Sequence, residues 1–563
     1  MDLGGTGETK AALNRAAELT RLGAETFDLA VIGGGINGAA IARDAALRGL
    51  SVALVDRGDF AGATSSHSSK LIHGGLRYLP QGQIRLVYHS LRERERLRRL
   101  TAPHLVRPIR FLFPFYAGRH PGRWTVGAGL VVYDLFARTA PAERNRRLNT
   151  AAVQALEPGL EAKGLCGGAL YYDGWADDAR LVIENILDTA MHGGAVVNYA
   201  EAESLTHTEG RLTSVIVRDR ASGARTELRA RCFVNAAGPW LDRIRMMDEP
   251  AARPSMRLTK GVHLVVSAAR LRIENALVLT DTAGRIVFVM PHNGWTLIGT
   301  TDTDYKGDPA EVRAEAEDSD YLIGVVNQAI PEARLGRRDI THSFAGLRVL
   351  PSRDGGRTPS AVAREEVISE SASGLISIGG GKLTSHRGTG ERIGAMVMAR
   401  LGRPAAPSPT RTAPLPGARP TMNAFAQDHA NGRSWRAWFP WLEERYGSRA
   451  AIVAEIVASS KMPEMAEPLA ADTLAIRAEV AFAVRYEWAR TVSDFLIRRT
   501  AMAWRNPPSA IASAPAVGRI MADELAWDRA TMEAQVASFL AEMSSAAGGG
   551  SPVMIKGGEA ERA

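Results

Sequence analysis

Cysteine is almost absent from this chain. Cys166 and Cys232 are the only two in 563 residues, which excludes a disulfide framework, sets thiolate metal sites aside and makes a reducing compartment the natural setting. Long apolar runs are missing too: none reaches the roughly 18 residues of a membrane-spanning helix, so no helix is expected to cross a bilayer. The start, MDLGGTGETKAALNRAAELTRLGAE, has no apolar core and carries acidic residues, unlike a secretory signal or a transit peptide. Residues 11–22 are compatible with a short helix, but a poorly ordered tail is the expectation there. Acidic charge is in the minority. The formal net charge of +8 and a pI near 9.6 favour anionic partners, whether a phosphorylated substrate, an acidic membrane surface or nucleic acid. What is present is ordinary globular composition, 45% hydrophobic and 23% charged, on a chain long enough for two or three domains.

Residues 27–57, FDLAVIGGGINGAAIARDAALRGLSVALVDR, organise the chain. An apolar run enters a glycine cluster, a small-residue helix follows to about Arg48, and a second apolar run closes on Asp56: strand, turn, helix, strand. Gly33 permits the sharp exit from the strand, Gly35 lets backbone approach a pyrophosphate, and Gly38 lets the helix pack close to the sheet. Asp56 follows at the distance of a ribose-binding acid. This is a dinucleotide site. A nicotinamide enzyme would continue with another βαβ unit, whereas here comes GDFAGATSSHSSKLIHGGLRYL, residues 58–79, a polar loop that suits contact with a flavin and its substrate.

Farther along, residues 82–123 gather Arg85, Arg92, Arg94, Arg96, Arg98, Arg99, Arg107, Arg110, Arg119 and Arg123 around a helical apolar pattern. Two readings stay open: a solvated helix with Glu/Arg pairs, or a basic amphipathic surface for anionic lipid. Residues 124–136, WTVGAGLVVYDLF, are too short to span a membrane and read as a core helix, with a membrane-dipping segment as the alternative. The nearby Phe111, Phe113, Phe115 and Tyr116 alternate as in a strand instead of interleaving with basic residues, so no nucleic-acid partner is expected. Residues 255–345 show short apolar runs bounded by turn residues, a strand-rich cap over a substrate cavity.

The segments INGAAIARDAALRGLSVALVD, ATSSHSSKLIHGGLRYL, NAAGPW, TKGVHLVV, IGTTDTDYKGDP, FAGLRVLPS and GGKLTSHR, in this order, resemble the FAD-dependent glycerol-3-phosphate dehydrogenases. The resemblance runs from about residue 27 to near 545, and the second segment is its most specific part. It implies an α/β + α architecture: a discontinuous Rossmann-like FAD-binding domain, a β-rich substrate cap and a C-terminal helical domain. The expected divisions are a tail over 1–26, FAD-binding parts at 27–110, 170–250 and 344–400, a basic cap region at 111–169 and the substrate cap at 251–343. A proline-marked linker at 401–420, the helical domain at 421–545 and a flexible tail at 546–563 complete the chain.

The resemblance implies non-covalent FAD and oxidation of sn-glycerol 3-phosphate to dihydroxyacetone phosphate, with electrons passed to a membrane quinone. An oxygen-using oxidase, or an oxidase of another amine or hydroxy acid, is the alternative. It also implies a cytoplasmic protein peripheral on the inner face of an anionic cell membrane, with a homodimer possible. The cofactor residues are Gly33, Gly35, Ile36, Asn37, Gly38, Asp56 and Arg57 in the first unit. The following loop adds Thr64, Ser65, Ser66, Ser69, Lys70 and Leu71, NAAGPW adds Ala237 and Gly238, and the late glycine turn adds Gly380, Gly381, Lys382, Leu383 and Thr384.

Oxidising a secondary alcohol on flavin requires a base, a hydride acceptor and a grip on the rest of the substrate. His263 in TKGVHLVV stands on an expected strand, where a lone histidine is commonly a satisfied core residue; it matches the family's active-site histidine and is assigned as base or orienter. Arg348 matches an active-site arginine and is assigned as clamp and alkoxide stabiliser, although valine stands at 349 where the family carries proline. Lys382, with Arg77 and Tyr78, is assigned to the phosphate. His386 stands where the family has an aromatic residue, and His73 reads as structural or flavin-adjacent. An uncharged substrate would leave these cations unpaired at a cost of several kcal/mol.

Overall fold

The computed structural model describes residues 13–79, 82–119, 122–138, 140–352, 366–404, 406–419, 438–460 and 462–546. Two large sheets organise them. In the first, the strands 375–380, 225–235, 26–32, 52–55 and 195–197 lie side by side in parallel, extended at one edge by 366–370. The apolar runs expected at residues 27–32 and 51–55 form neighbouring strands because both faces of this sheet are covered. Leu29 and Val31 pack against Ala39, Ile41, Ile183, Ile186, Ile393 and Val397 from three helices, Ile36–Leu47, Asp178–Met191 and His386–Arg400. Ala30 and Ile32, on the opposite face, meet Val215, Val217 and Leu228 of an antiparallel meander. The strands end at Ile32, Val55, Asn235 and Gly380 on one edge, the edge where a doubly wound sheet binds its ligand.

The second sheet has ten strands. The long antiparallel pair Met256–Ser267 and Ile340–Pro351 is joined by 303–305, 295–299, 286–292 and 276–280, then by 107–116, 165–175 and 71–72. The cap therefore draws on residues well outside 251–343: the strands 107–116, 146–148 and 165–175, from the segment expected as a separate basic region and the residues flanking it, belong to the same sheet. The helix Ala316–Ala329 covers one face through Leu322, Ile323, Val325 and Val326. Over another part lie the helices Ile84–Arg96 and Arg123–Ala137, inserting Leu86, Val87, Leu91, Val126, Leu130 and Tyr133.

Three further differences from the sequence reading concern connections. The N-terminal segment contains the helix Arg15–Ala24, capped by the Asn14 side chain, with Leu22 buried under the meander. The strand Ala200–Thr208 pairs with Arg211–Asp219; its sequence AEAESLTHT lacks the apolar run that marks a buried strand. The described part of 401–420 is not a free linker. Leu415 is buried against Ile72, Leu97 and Leu181, and Arg43 donates to the Ala413 carbonyl at 2.8 Å. The C-terminal helices between 439 and 546 enclose their own core around Phe482, Phe495, Val517 and Met521. The first twelve residues and residues 547–563, part of the first expected tail and nearly all of the second, lie outside the described residues.

Candidate active site

Between the strand ends of the first sheet and the face of the second lies a cavity of about 1330 Å³. Its floor is the first glycine turn. Gly33 has φ +110°, and a β-carbon there would sit 2.5 Å from the Ala236 carbonyl oxygen, so only glycine fits. At Gly38 a β-carbon would lie 1.8 Å from the Gly33 oxygen, which is why the helix can start so close to the strand. Gly35 gives that helix no side-chain cap; Ile36 N donates instead to Ser65 Oγ of the polar loop at 3.0 Å, at the end of the helix where an anion is favoured. The Asp56 carboxylate accepts from Gly34 N at 2.6 Å and Gly58 N at 2.8 Å, and burial pushes its pKa up to about 6. Two more turns meet this floor, Ala236–Gly238 and Gly380–Thr384, the latter with Gly380 and Gly381 at φ +74° and +89°. Asn37 Nδ2 donates to the Gly380 carbonyl at 3.0 Å, joining the first turn to the last. A helix start turned to the cavity, three close-packed small-residue turns and a polar loop fit the pyrophosphate, ribose and flavin of FAD.

Most residues assigned from sequence line this one cavity: Gly33, Gly35, Ile36, Asn37, Asp56 and Arg57, then Thr64, Ser65, Ser69 and Leu71, then Tyr78, Ala237 and Gly238, with His263, Arg348 and the 380–384 turn. Gly38, Ser66 and Lys70 stand behind the wall. Lys70 is buried, pairs with Asp178 Oδ1 at 2.5 Å and donates to the Ser66 carbonyl at 3.1 Å; it braces the loop on the helix Asp178–Met191. His386 is buried too, its Nδ1 2.7 Å from the Leu383 carbonyl oxygen. The Arg77 side chain lies outside the described residues.

The reactive wall is built by strand register. His263 lies opposite Gly299 on one neighbour and Phe344 on the other. Its ring stacks on Phe344 with centroids 4.9 Å apart and planes 17° apart, and Nε2 shares a 2.8 Å hydrogen bond with Ser69 Oγ. A β-carbon on Gly299 would meet the imidazole at 2.2 Å. Burial first, then the charges of Arg348 and Lys70, holds the His263 pKa well below its ordinary 6.5, so the ring is neutral and able to take a proton. Arg348 donates from Nη1 to the Thr301 carbonyl at 3.1 Å and Asp302 Oδ1 at 3.2 Å, and from Nη2 to Thr300 Oγ1 at 3.0 Å. Across the cavity, Lys382 is 9% exposed. Its Nζ lies 4.0 Å from the Tyr78 ring centroid and donates to Gly74 O at 3.3 Å and Ser90 Oγ at 3.4 Å.

Sequence reasoning missed Ser69 as the partner of His263, and it missed the Thr300, Thr301 and Asp302 anchor of Arg348. The second set lies in IGTTDTDYKGDP, a segment quoted for its resemblance alone; three polar residues directly after an apolar strand were the available signal. Asp59 and Arg498 also line the cavity, and the arginine, 439 residues away from Asp59 in sequence, carries no local signal.

Comparison with known proteins agrees with this geometry. Residues 28–396 match the family model described as FAD dependent oxidoreductase, and residues 408–532 match the C-terminal domain of alpha-glycerophosphate oxidase. The chain is 37% identical over 532 residues to a glycerol-3-phosphate dehydrogenase of Synechocystis, covering 91% of this chain and 95% of that protein. It is 34% identical over 529 residues to the aerobic glycerol-3-phosphate dehydrogenase of Bacillus subtilis, covering 92% and 94%. Among solved structures, the Bacillus halodurans glycerol-3-phosphate dehydrogenase complexed with FAD superposes with a TM-score of 0.77 at 31% identity, over 95% of this chain and 98% of that one. With its glycine turns, cap and helical domain all accounted for, the chain belongs to the FAD-dependent glycerol-3-phosphate dehydrogenase family.

Proposed function

We propose that the protein oxidises sn-glycerol 3-phosphate to dihydroxyacetone phosphate and passes the electrons to a membrane quinone while resting on the inner, anionic face of the cell membrane. The observation that carries the substrate is the pairing, in one cavity, of a neutral buried histidine beside an arginine with a buried lysine on another wall. Bound flavin supplies the hydride acceptor. The substrate hydroxyl takes the place of Ser69 Oγ, which shares a 2.8 Å hydrogen bond with His263 Nε2, and that nitrogen takes the hydroxyl proton. Arg348, fixed by Thr300, Thr301 and Asp302, stabilises the developing alkoxide, where charge-assisted donors act most strongly. Lys382 and Arg77 balance the phosphate, with Tyr78 beneath the ammonium.

The acceptor and the membrane rest on a second observation. The helices Ile84–Arg96 and Arg123–Ala137 bury one face and expose the other: Ile84, Tyr88, Trp124, Val131 and Leu135 are 42–72% accessible. Arg85 and Arg123 stand beside them, with Arg123 stacked 5.2 Å from the Trp124 ring centroid. An apolar face rimmed by arginine suits an anionic interface. The Glu/Arg pairing expected for the basic cluster is present in part of it. Arg94, Arg96, Arg98 and Arg99 are paired with Glu93, Glu95, Asp173 or Glu143. Ile84, Val126 and Val132 of the same helices also line the cavity, which gives an apolar acceptor a route toward the flavin. No helix among the described residues is long and apolar enough to cross a membrane.

The test is anaerobic bleaching of the flavin absorbance by glycerol 3-phosphate, followed by reoxidation with a quinone analogue or with air. Bleaching with quinone-selective recovery is expected. Fast recovery in air makes the protein an oxidase, and flavin that does not bleach rules out the substrate.

A further inference from the structure

The segment Glu487–Arg505 of the C-terminal helical domain packs against the loop that follows Asp56, and it does so through groups that reach the cofactor cavity. Asp59, 3% exposed, receives a bidentate pair from Arg499, Nη1 to Oδ2 at 2.7 Å and Nη2 to Oδ1 at 2.8 Å. Arg498 Nε adds a third bond to Oδ2 at 2.5 Å, while its Nη2 donates to Asp494 Oδ1 at 2.6 Å. One residue on, Phe60 meets Trp488 edge to face with ring centroids 5.5 Å apart. Asn198 Nδ2 joins the two sides, donating to Asp59 Oδ1 at 3.2 Å and to the Trp488 carbonyl at 2.8 Å.

The pinned loop leads directly to the glycine turn. Ala61 N donates to the Gly34 carbonyl at 3.1 Å, and the Phe60 ring occupies the space a Gly34 β-carbon would need, 2.5 Å from its Cδ1. Asp59, Gly62 and Arg498 themselves line the cavity. Burial alone would raise the Asp59 pKa, yet the two guanidinium groups hold it below its ordinary value. A carboxylate beside a site for a pyrophosphate would repel that ligand unless neutralised, and both neutralising cations come from the distant domain.

We propose that Arg498 and Arg499 are positioning residues for the cofactor: by neutralising Asp59 and clamping the 57–62 loop onto Gly34, the C-terminal domain sets the affinity for FAD. Neither arginine needs to touch the reacting atoms. The clamp acts through Asp59, Phe60 and Ala61 on the glycine turn.

The test titrates FAD into the full-length apoprotein by flavin fluorescence and records the melting temperature of each apoprotein alongside. Arg498→Met is expected to weaken FAD binding at least tenfold, and Asp59→Asn and Trp488→Leu at least threefold. Arg449→Met is the control. It removes another buried cation from the same interface, one that bonds Glu184 at 3.1 Å and Glu487 at 2.7 Å, and it is expected to leave FAD affinity within twofold. Trp488→Leu, which changes no charge, decides the matter if Arg498→Met does not fold. The proposal is overturned if the clamp variants bind FAD within twofold of wild type, or if Arg449→Met weakens binding as much as they do.

Discussion

The guanidinium of Arg348 lies across the bare Cα of Gly261 on the adjacent strand. A β-carbon at 261 would stand 2.4 Å from Nη2 and 2.6 Å from Cζ. Gly261 and His263 are two apart and so point to the same face of the sheet, which makes the glycine the seat that brings the arginine beside the histidine. Gly261→Ala is expected to displace Arg348 and lower kcat/KM at least tenfold, with flavin content unchanged. Steady-state kinetics on the flavin-replete variant checks it; near wild-type turnover would remove Arg348 from the reaction.

His263 predicts a particular pH profile. Its pKa is held well below 6.5, first by burial and then by neighbouring positive charge. The neutral, proton-accepting form therefore persists as pH falls through 6.5, and the acid limb of kcat/KM lies below that value. His263→Asn is expected to lower kcat by two to three orders of magnitude, in line with loss of a general base, with FAD retained.

Lys382 is placed to read charge. Lys382→Met is expected to raise KM for glycerol 3-phosphate about tenfold to a hundredfold, the worth of one charge-assisted contact, with a smaller effect on kcat. Michaelis kinetics with a soluble acceptor makes the distinction. An equal fall in kcat with unchanged KM would move the lysine from the phosphate to the chemistry.

Acid stability has a contributor away from the reaction. His342 is 7% exposed, its Nδ1 has no hydrogen-bond partner among the described residues, and burial, then His67, brings its pKa down to about 3. The unfolded chain binds this proton below about 6.5 while the folded protein does not, so stability is complete above that pH and is lost as pH falls toward 3. At pH 5 the site costs about 2 kcal/mol. His342→Asn is expected to show a shallower decline of the denaturation midpoint between pH 7 and 5.

Local sequence carried the cofactor half of the site because its constraints are local. Gly33, Gly35, Gly38 and Asp56 sit in one strand–turn–helix–strand unit whose turn tolerates few residue types, so spacing alone placed the nucleotide. His263 and Arg348 were different. A lone histidine on an apolar strand reads first as a satisfied core residue and a lone arginine carries no local signal, so only the family resemblance singled them out.

Much of what positions them was not legible in any window. Whether Gly261 is a seat or a flexible point depends on which strand lies beside it, and the register that sets Thr259 opposite Arg348, 89 residues later, is fixed by the whole sheet. The outer face of residues 124–136 depended in the same way on which of its apolar residues a neighbour covered. Composition, the glycine spacing and the apolar periods determined an α/β dinucleotide unit followed by a strand-rich segment, and the resemblance to a family supplied the discontinuous flavin domain, the cap and the helical C-terminal domain. Tertiary structure alone decided that Ser69 holds His263, that Thr300 and Asp302 anchor Arg348, and that Arg498 and Arg499 neutralise Asp59. Each of these contacts joins residues far apart in sequence, and no local pattern encodes the partner of a charge or a hydroxyl until folding brings the two together.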